Sequence, residues 1–391
     1  MDQSAVRVMH ILPHSAAGGA TLLAMELAQR LNPARYRVTL AVGPESCGEG
    51  NLLDEMRERG LEVIVIPNMR RAPHLTRDAR ALLELSEVIH RERPQIVHTH
   101  GSKPRLLTPL ATAFDPAPIR VAHLWGWEWM PAQDLARRSA YAWGARVSAQ
   151  GYDALIACSD AMRRQGLARG VGESRQYEVV LPSVDLTRFS PKGREQARSE
   201  VRGALGIPLD ATVVVSVMRL ARQKAPHILL QAAAELARRL PALRWLLVGG
   251  GPLEPEVREM VNAPELRDRV ILAGPRRDVA RLLKASDVFA LASSWEPFGI
   301  GYLEASAVGL PVIGTRVDGA PEAVLHPTTG LLVEPHNPEQ LAAAIATVAT
   351  DPRLARSLGE AGAKRARQFG HERFVGGIER IYERLLARNS L

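Results

Sequence analysis

The sequence predicts an α/β protein built from two doubly wound, Rossmann-like parallel-sheet domains. Three observations carry this reading. Short β-branched runs alternate with helical periodicities, the alternation restarts after a charged, proline-bearing stretch, and 391 residues at about 150 per domain exceed what one hydrophobic core organises.

Residues 6–12 are β-branched and apolar and read as a buried strand, ended by the turn signals Pro13 and Gly18-Gly19. Leu23, Leu27 and Leu31, four apart, predict a helix, and residues 36–42 a second strand. Helix-like 51–60 leads to strand 62–66, helix-like 79–91 to strand 95–100, and residues 118–124, 154–157 and 178–181 read as further strands. These make a first domain over 1–190. Residues 191–200, charged and opened by Pro191, read as the crossing into a second domain over 191–370. There strands are expected at 212–217, 244–248, 270–272, 288–291 and 311–313, with helices at 228–240, 279–285 and 302–308. A C-terminal helix over about 371–391 is expected to pack back on the first domain.

Hydrophobic residues at 46% and charged residues at 24% are ordinary globular values, without a polar tract that would suggest extended disorder. Two cysteines, Cys47 and Cys158, are too few for a disulfide framework and lack the paired spacing of a zinc site, which suits a reducing cytoplasm. The opening Met1-Asp2-Gln3-Ser4 does not read as a signal peptide, and no apolar run reaches about 18 residues. Lys and Arg number 50 against 42 acidic residues. That excess suits anionic lipid or anionic small substrates, whereas the arginines are scattered and accompanied by no nucleic-acid motif, so nucleic acid is not an expected partner. The expected location is cytoplasmic, with peripheral contact at the inner membrane face left open.

The most specific chemical signal is the segment from Glu296 to Glu304, two carboxylates eight positions apart across a glycine turn that enters a helix. Phe298, Gly299 and Ile300 form that turn, which can aim backbone N–H groups at a diphosphate. Alone, the two glutamates could be surface charges. The buried strand before them and the strand expected at 311–313 give the motif its context. Arg219 and Lys224, five apart just beyond strand 212–217, are a planar fork and a point charge, a complementary pair for phosphate oxygens; by themselves they are equally a solvated loop.

These segments resemble the family 4 retaining glycosyltransferases, of the GT-B architecture in which two Rossmann-like domains face each other across a cleft. Residues 95–100, 274–279 and 317–322 extend the resemblance over nearly the whole chain. It implies that Arg219 and Lys224 hold the leaving diphosphate, Glu296 faces the sugar, Glu304 accepts ribose hydroxyls, and Gly18 and Gly19 pass close to the donor. The chain departs from the pattern at Met218 and Ala225, where glycines are usual, at Thr21, where Glu is frequent, and at 182–185, a shortened hinge without Asn-Gly. The implied reaction is transfer from a UDP- or GDP-sugar to a hydroxyl on a sugar, glycolipid or small molecule. Retention is open between a covalent intermediate and front-face attack. A sugar-nucleotide epimerase and a non-catalytic nucleotide-sugar binder are the competing readings. No Asp-x-Asp occurs, so no metal clamp and no cofactor are expected.

His98 and His100 are either a metal pair lacking a third ligand or strand-end packing. In the segment 123–129, three tryptophans recur at every second position and would share one face if extended. Aligned by its glycine, this segment resembles the family's His-Gly element, with Trp125 in the histidine's place and His123 two residues earlier. His123, Trp125 and Trp127 are therefore acceptor-side candidates, with indole packing in the core as the alternative.

Overall fold

The computed structural model describes residues 5–16, 18–44, 51–70, 72–113, 118–129 and 134–389. Cys47 lies outside the described residues. The chain forms two compact units, Met1–Pro182 with His371–Leu391, and Ser183–Gly370.

In chain order the first unit runs β1 (Val6–Leu12), α1 (Gly19–Arg30), β2 (Tyr36–Val42), α2 (Leu53–Glu58), β3 (Glu62–Val65), α3 (Leu75–Glu92), β4 (Ile96–His100), α4 (Ser102–Ala111), β5 (Ile119–Leu124), α5 (Leu135–Ala149), β6 (Ala154–Ala157), α6 (Asp160–Ala168) and β7 (Tyr177–Val179). The second runs α7 (Arg194–Ala204), β8 (Thr212–Val217), α8 (Pro226–Arg239), β9 (Leu243–Val248), α9 (Glu254–Val261), β10 (Val270–Gly274), α10 (Val279–Lys284), β11 (Val288–Ala290), α11 (Ile300–Val308), β12 (Val312–Thr315), α12 (Ala320–Ala323), β13 (Gly330–Val333), α13 (Pro338–Thr350) and α14 (Pro352–Ala366). The last helix, α15 (His371–Asn389), belongs to the first unit.

The sheets have seven strands in the order β3-β2-β1-β4-β5-β6-β7 and six in the order β10-β9-β8-β11-β12-β13. The registers are parallel, with His10 opposite His98 and His100 opposite His123 in the first sheet, and Phe289 opposite Val215 in the second. Strand order reverses between β1 and β4 and between β8 and β11, the points where loops leaving the carboxyl ends diverge and ligands enter doubly wound sheets. Alternation along β1 separates two cores. Val8 joins Leu27 of α1 and Phe374, Ile378 and Tyr382 of α15, whereas Met9 and Ile11 join Leu85 and Ile89 of α3.

Two findings differ from the sequence reading. The division falls between Pro182 and Ser183 rather than near 190, since Val184 N–H donates to the Phe369 carbonyl at 2.8 Å and Phe189 is buried in the second unit. The charged stretch expected to be a crossing continues into helix α7, which turns Ala197, Val201 and Arg202 inward. Arg202 is fully buried. Its guanidinium donates to Asp287 Oδ2 at 2.7 Å and to the carbonyls of Ala211 and Ala285 at 2.7 and 2.9 Å, while Asp287 Oδ2 also accepts the Val213 N–H. One arginine thus ties α7 to the starts of β8 and β11. Arg202→Ala is expected to lower the unfolding free energy of the second unit by about 3 kcal/mol, because a buried guanidinium and its partners lose one another together. Arg202→Lys should recover little, having no planar fork. Urea unfolding of both variants checks this, and a loss under about 1 kcal/mol in Arg202→Ala would count against the anchor.

Candidate functional site

In the second unit, the segment after β8 is clamped by backbone. The Leu220 N–H donates to the Gly250 carbonyl and the Leu253 N–H to the Leu220 carbonyl, both at 2.9 Å. Gly249 (φ +130°) makes this approach possible, since a Cβ there would lie 1.9 Å from the Met218 carbonyl oxygen. Arg219, half-buried, is therefore displayed from a fixed backbone. Where glycine was expected, Met218 is buried and the close approach comes instead from the 249–251 run. Ala225 retains the left-handed turn glycine would adopt, with φ 43°, immediately before α8. A left-handed alanine costs about 1–2 kcal/mol, and this one is fully buried against its surroundings.

Across the strand-order reversal, Glu296 follows β11. It is 6% exposed; the Lys224 ammonium pairs with its Oε2, and Ser293 Oγ donates to the same oxygen at 3.2 Å. Its N–H donates to Asp318 Oδ2 at 3.0 Å, and its carbonyl accepts the Gly319 N–H at 3.0 Å. Lys224 and Glu296, 72 residues apart in sequence, are thus brought into direct contact. An ammonium has three N–H donors, so one carboxylate oxygen does not exhaust it. Asp318 and Ser293 had no role assigned from the sequence; only the resemblance over 317–322 pointed toward the first.

Phe298 is buried against Phe369, with ring centroids 5.7 Å apart, and this seats the turn. Gly299 adopts φ +102° before α11, where a Cβ would meet the Tyr302 ring at 2.3 Å. Ile300 starts the helix; in its first turn the Tyr302 N–H donates back to the Gly299 carbonyl at 3.0 Å, and the N–H groups of Ile300 and Gly301 precede any intrahelical acceptor. Glu304 lies one turn on and is half-buried; lost hydration pushes its carboxyl up to about 7, against the pull of Arg188.

In the first unit, Gly18 caps α1 in extended conformation and Gly19 begins the helix. A Cβ at Gly18 would meet nothing within 4 Å, so space before α1 is open. The tight glycine after a strand is Gly43, where a Cβ would lie 2.0 Å from the Met69 carbonyl oxygen.

The carboxyl halves of β1, β4 and β5 carry His10, His98, His100 and His123, all buried, on the face that holds Val8, Ile96 and Val121 nearer the amino ends. The third histidine missing from the sequence reading is His10: ring nitrogens of His10, His98 and His100 lie within 4.8 Å of one another. No carboxylate or thiolate belongs to this group among the described residues. Burial pushes His10 and His123 down to about 3, and burial with neighbouring imidazoles holds His98 and His100 well below the usual range, so all four are neutral at ordinary pH.

Neutrality and the hydrogen bonds fix the tautomers of His100, His10 and His98. The Trp125 indole can only donate, and it does so to His100 Nδ1 at 3.2 Å. His100 therefore carries its proton on Nε2 and donates to His10 Nδ1 at 2.9 Å. His10 Nε2–H then faces Tyr382 Oη at 3.4 Å, and the phenol donates to His98 Nδ1 at 2.5 Å. The remaining His98 Nε2 and both nitrogens of His123 have no hydrogen-bond partner.

The three tryptophans do not share one face, because β5 ends at Leu124 and the chain leaves its strand alternation there. Trp125, half-buried, stacks on His123 at 3.9 Å between centroids. Trp127 and Trp129 are buried and stack on each other at 4.4 Å. The Trp127 N–H donates to the Met162 carbonyl at 3.0 Å, and the Arg105 guanidinium, paired with Glu128, lies 5.6 Å from its ring. Trp127 therefore packs the interior of the unit, whereas Trp125 keeps an exposed part.

The matches to known proteins follow this geometry. Residues 17–188 match the model described as Glycosyltransferase Family 4, and residues 197–365 that described as Glycosyl transferases group 1. The chain is 35% identical over 260 residues to a D-inositol 3-phosphate glycosyltransferase of Kineococcus radiotolerans, covering 62% of this chain and 59% of that one. It spans about three fifths of the length of that relative. It is 25% identical over 351 residues to the UDP-Gal:alpha-D-GlcNAc-diphosphoundecaprenol alpha-1,3-galactosyltransferase of Escherichia coli, covering 89% of each. Among solved structures, Anabaena Alr3699/HepE in complex with UDP-glucose superposes with TM-score 0.82 at 23% identity, over 96% of this chain and 99% of that one. Sucrose-phosphate synthase from Thermosynechococcus elongatus superposes at 0.83 and 22% identity, over 98% and 100%. With two Rossmann-like parallel-sheet domains of the GT-B type and a family model matched over each, the chain belongs to the family 4 glycosyltransferases.

Proposed function

We propose that this glycosyltransferase moves a sugar from a UDP- or GDP-sugar to an acceptor hydroxyl, with retention and without a metal. The observation that carries the reading is the strand-order reversal of the second unit. Arg219 and Lys224 follow one strand there, and the other leads into Glu296, the Gly299 turn and the Ile300 and Gly301 N–H groups that open α11. Fixed cations and helix N–H groups suit a diphosphate that gains charge as the anomeric C–O bond breaks. Glu296, held by Ser293 and Lys224 and by Asp318 at its backbone, presents a carboxylate that orients sugar hydroxyls. Glu304 accepts the ribose hydroxyls. In front-face transfer the acceptor oxygen bonds to the anomeric carbon as the diphosphate leaves, and the acceptor proton passes to a donor phosphate oxygen. A lipid-diphosphate-linked sugar is the acceptor class favoured by the activity of the Escherichia coli relative. The nucleotide-sugar donor suits a cytoplasmic site of action.

Arg219→Ala is expected to lower kcat by at least about a hundredfold at saturating donor with the fold intact. Lys224→Ala alone strands a buried carboxylate, so it is paired with Glu296→Gln, and the double variant should fold and show a comparable loss. Turnover near wild type in both, with unchanged melting, overturns the assignment.

Transfer should continue in excess EDTA. Loss of activity restored only by Mg²⁺ or Mn²⁺ would show that a divalent ion is needed to stabilise the diphosphate.

With its carboxyl raised to about 7, Glu304 is largely protonated in the free protein below that pH, where one oxygen carries a proton and the neutral group is a weaker acceptor for ribose hydroxyls than the carboxylate. Donor affinity should therefore rise as pH increases through 7, and Glu304→Gln should weaken binding at pH 8 and flatten the profile. The same raised value makes folding stability fall between the unfolded carboxyl's pKa, about 4.3, and 7. Calorimetric titration with UDP from pH 6 to 8 measures the first effect; an equally steep profile in the Gln variant contradicts the ribose role.

A further inference from the structure

Eleven large apolar side chains are well exposed among the described residues, and eight of them lie on α3, α4 and α5 of the first unit. On α5, Trp143 is 66% exposed and Val147 49%, and Ala136 and Ala140 continue their line at i, i+4, i+7 and i+11. The solvent face of this helix is therefore an apolar stripe, while its opposite face buries Ala142, Ala145 and Ala149. On α4, Leu106 and Leu110 repeat the pattern. The two stripes adjoin, since Leu106 lies against Gly144 of α5 and Pro109 against Gly151 just beyond it. Leu75 and Leu83 are exposed on α3, the helix packed on the other side of α4. Scattered apolar residues are normal on surfaces, but a joined patch on neighbouring helices marks an interaction site.

Charge identifies the occupant. Neither Ser102–Ala111 nor Leu135–Ala149 contains an Asp or Glu. Arg137, paired with the N-cap Asp134 at 3.3 Å, and Arg146 flank the α5 stripe, both exposed, whereas α3 carries Asp78, Glu84, Glu87 and Glu92 and does not share this basic character. Apolar side chains with an interfacial Trp and Tyr141, bordered by arginines, match the composition of helices that lie in the headgroup region of anionic bilayers. A second copy would set these arginines against one another. No described helix is long and apolar enough to cross a membrane, so contact along the surface is the available mode.

We propose that the α4–α5 face of the first unit docks on an anionic phospholipid surface, with Trp143, Val147 and Leu110 inserted and Arg137 and Arg146 at the phosphates. This stands apart from the transfer reading, because none of these residues belongs to the diphosphate site. The test is co-sedimentation of the full chain with phosphatidylcholine vesicles carrying about 30% phosphatidylglycerol, against phosphatidylcholine alone. Binding should be at least about tenfold tighter to the anionic vesicles and weaken with salt. Trp143→Ala/Val147→Ser/Leu110→Ser should lose at least about tenfold with unchanged melting temperature and intact transfer to a soluble acceptor. Arg137→Gln/Arg146→Gln, which leaves the apolar stripe untouched, should lose the preference for phosphatidylglycerol. Absence of sedimentation overturns the proposal, as does undiminished binding by the triple variant. Light scattering without lipid that shows a dimer, dissociated by the triple variant, overturns it in favour of self-association.

Discussion

Strands leaving a parallel sheet in one direction share their loops' side of the molecule, and where the strand order reverses, two consecutive crossovers depart to opposite sides and leave backbone uncovered between them. That constraint governs both units. In the second it separates the exits of β8 and β11, so that Arg219 and Lys224 arrive from one side and Glu296 from the other. In the first it separates the exits of the paired strands β1 and β4, whose carboxyl halves carry His10, His98 and His100. The glycines at 249 and 299 serve the same geometry, each admitting a backbone or ring approach that a Cβ would block.

Much of this was legible in the sequence because strands buried on both faces announce themselves as short β-branched runs, as in β1, β8 and β9. Helix α5 was not, because its exposed face carries Trp143 and Val147 and its buried face only alanines and a serine, which inverts the usual amphipathic signal. Helix α7 was hidden for a related reason: its inward face includes Arg202, which sequence reading counts as polar and solvent-facing. Among the site residues, Lys224 and Glu296 stood out through motif spacing, but their contact depends on strand order, which no local pattern contains. His10 joins His98 only through register.

The two departures from the family pattern near the cations have different physical meanings. At Ala225 the backbone keeps the left-handed turn and accepts a steric cost, so the geometry is conserved at the expense of local strain. At Met218 the side chain is buried, and the facing Gly249 leaves room for the Met218 carbonyl, which a Cβ there would meet at 1.9 Å. Neither change dislodges Arg219 from its clamped backbone.

The indole at 125 changes what the histidine row can conduct. A proton wire must reset: each member that passes a proton on has to take another from the far side, and the terminal group must be able to both give and receive. An indole nitrogen has no lone pair to offer, so the path from Trp125 through His100, His10 and Tyr382 to His98 runs one way and stops. The imidazoles of His100, His10 and His98, which would elsewhere suggest a relay, therefore carry no two-way proton traffic through the indole, and His123 beside them makes no hydrogen bond by which to join.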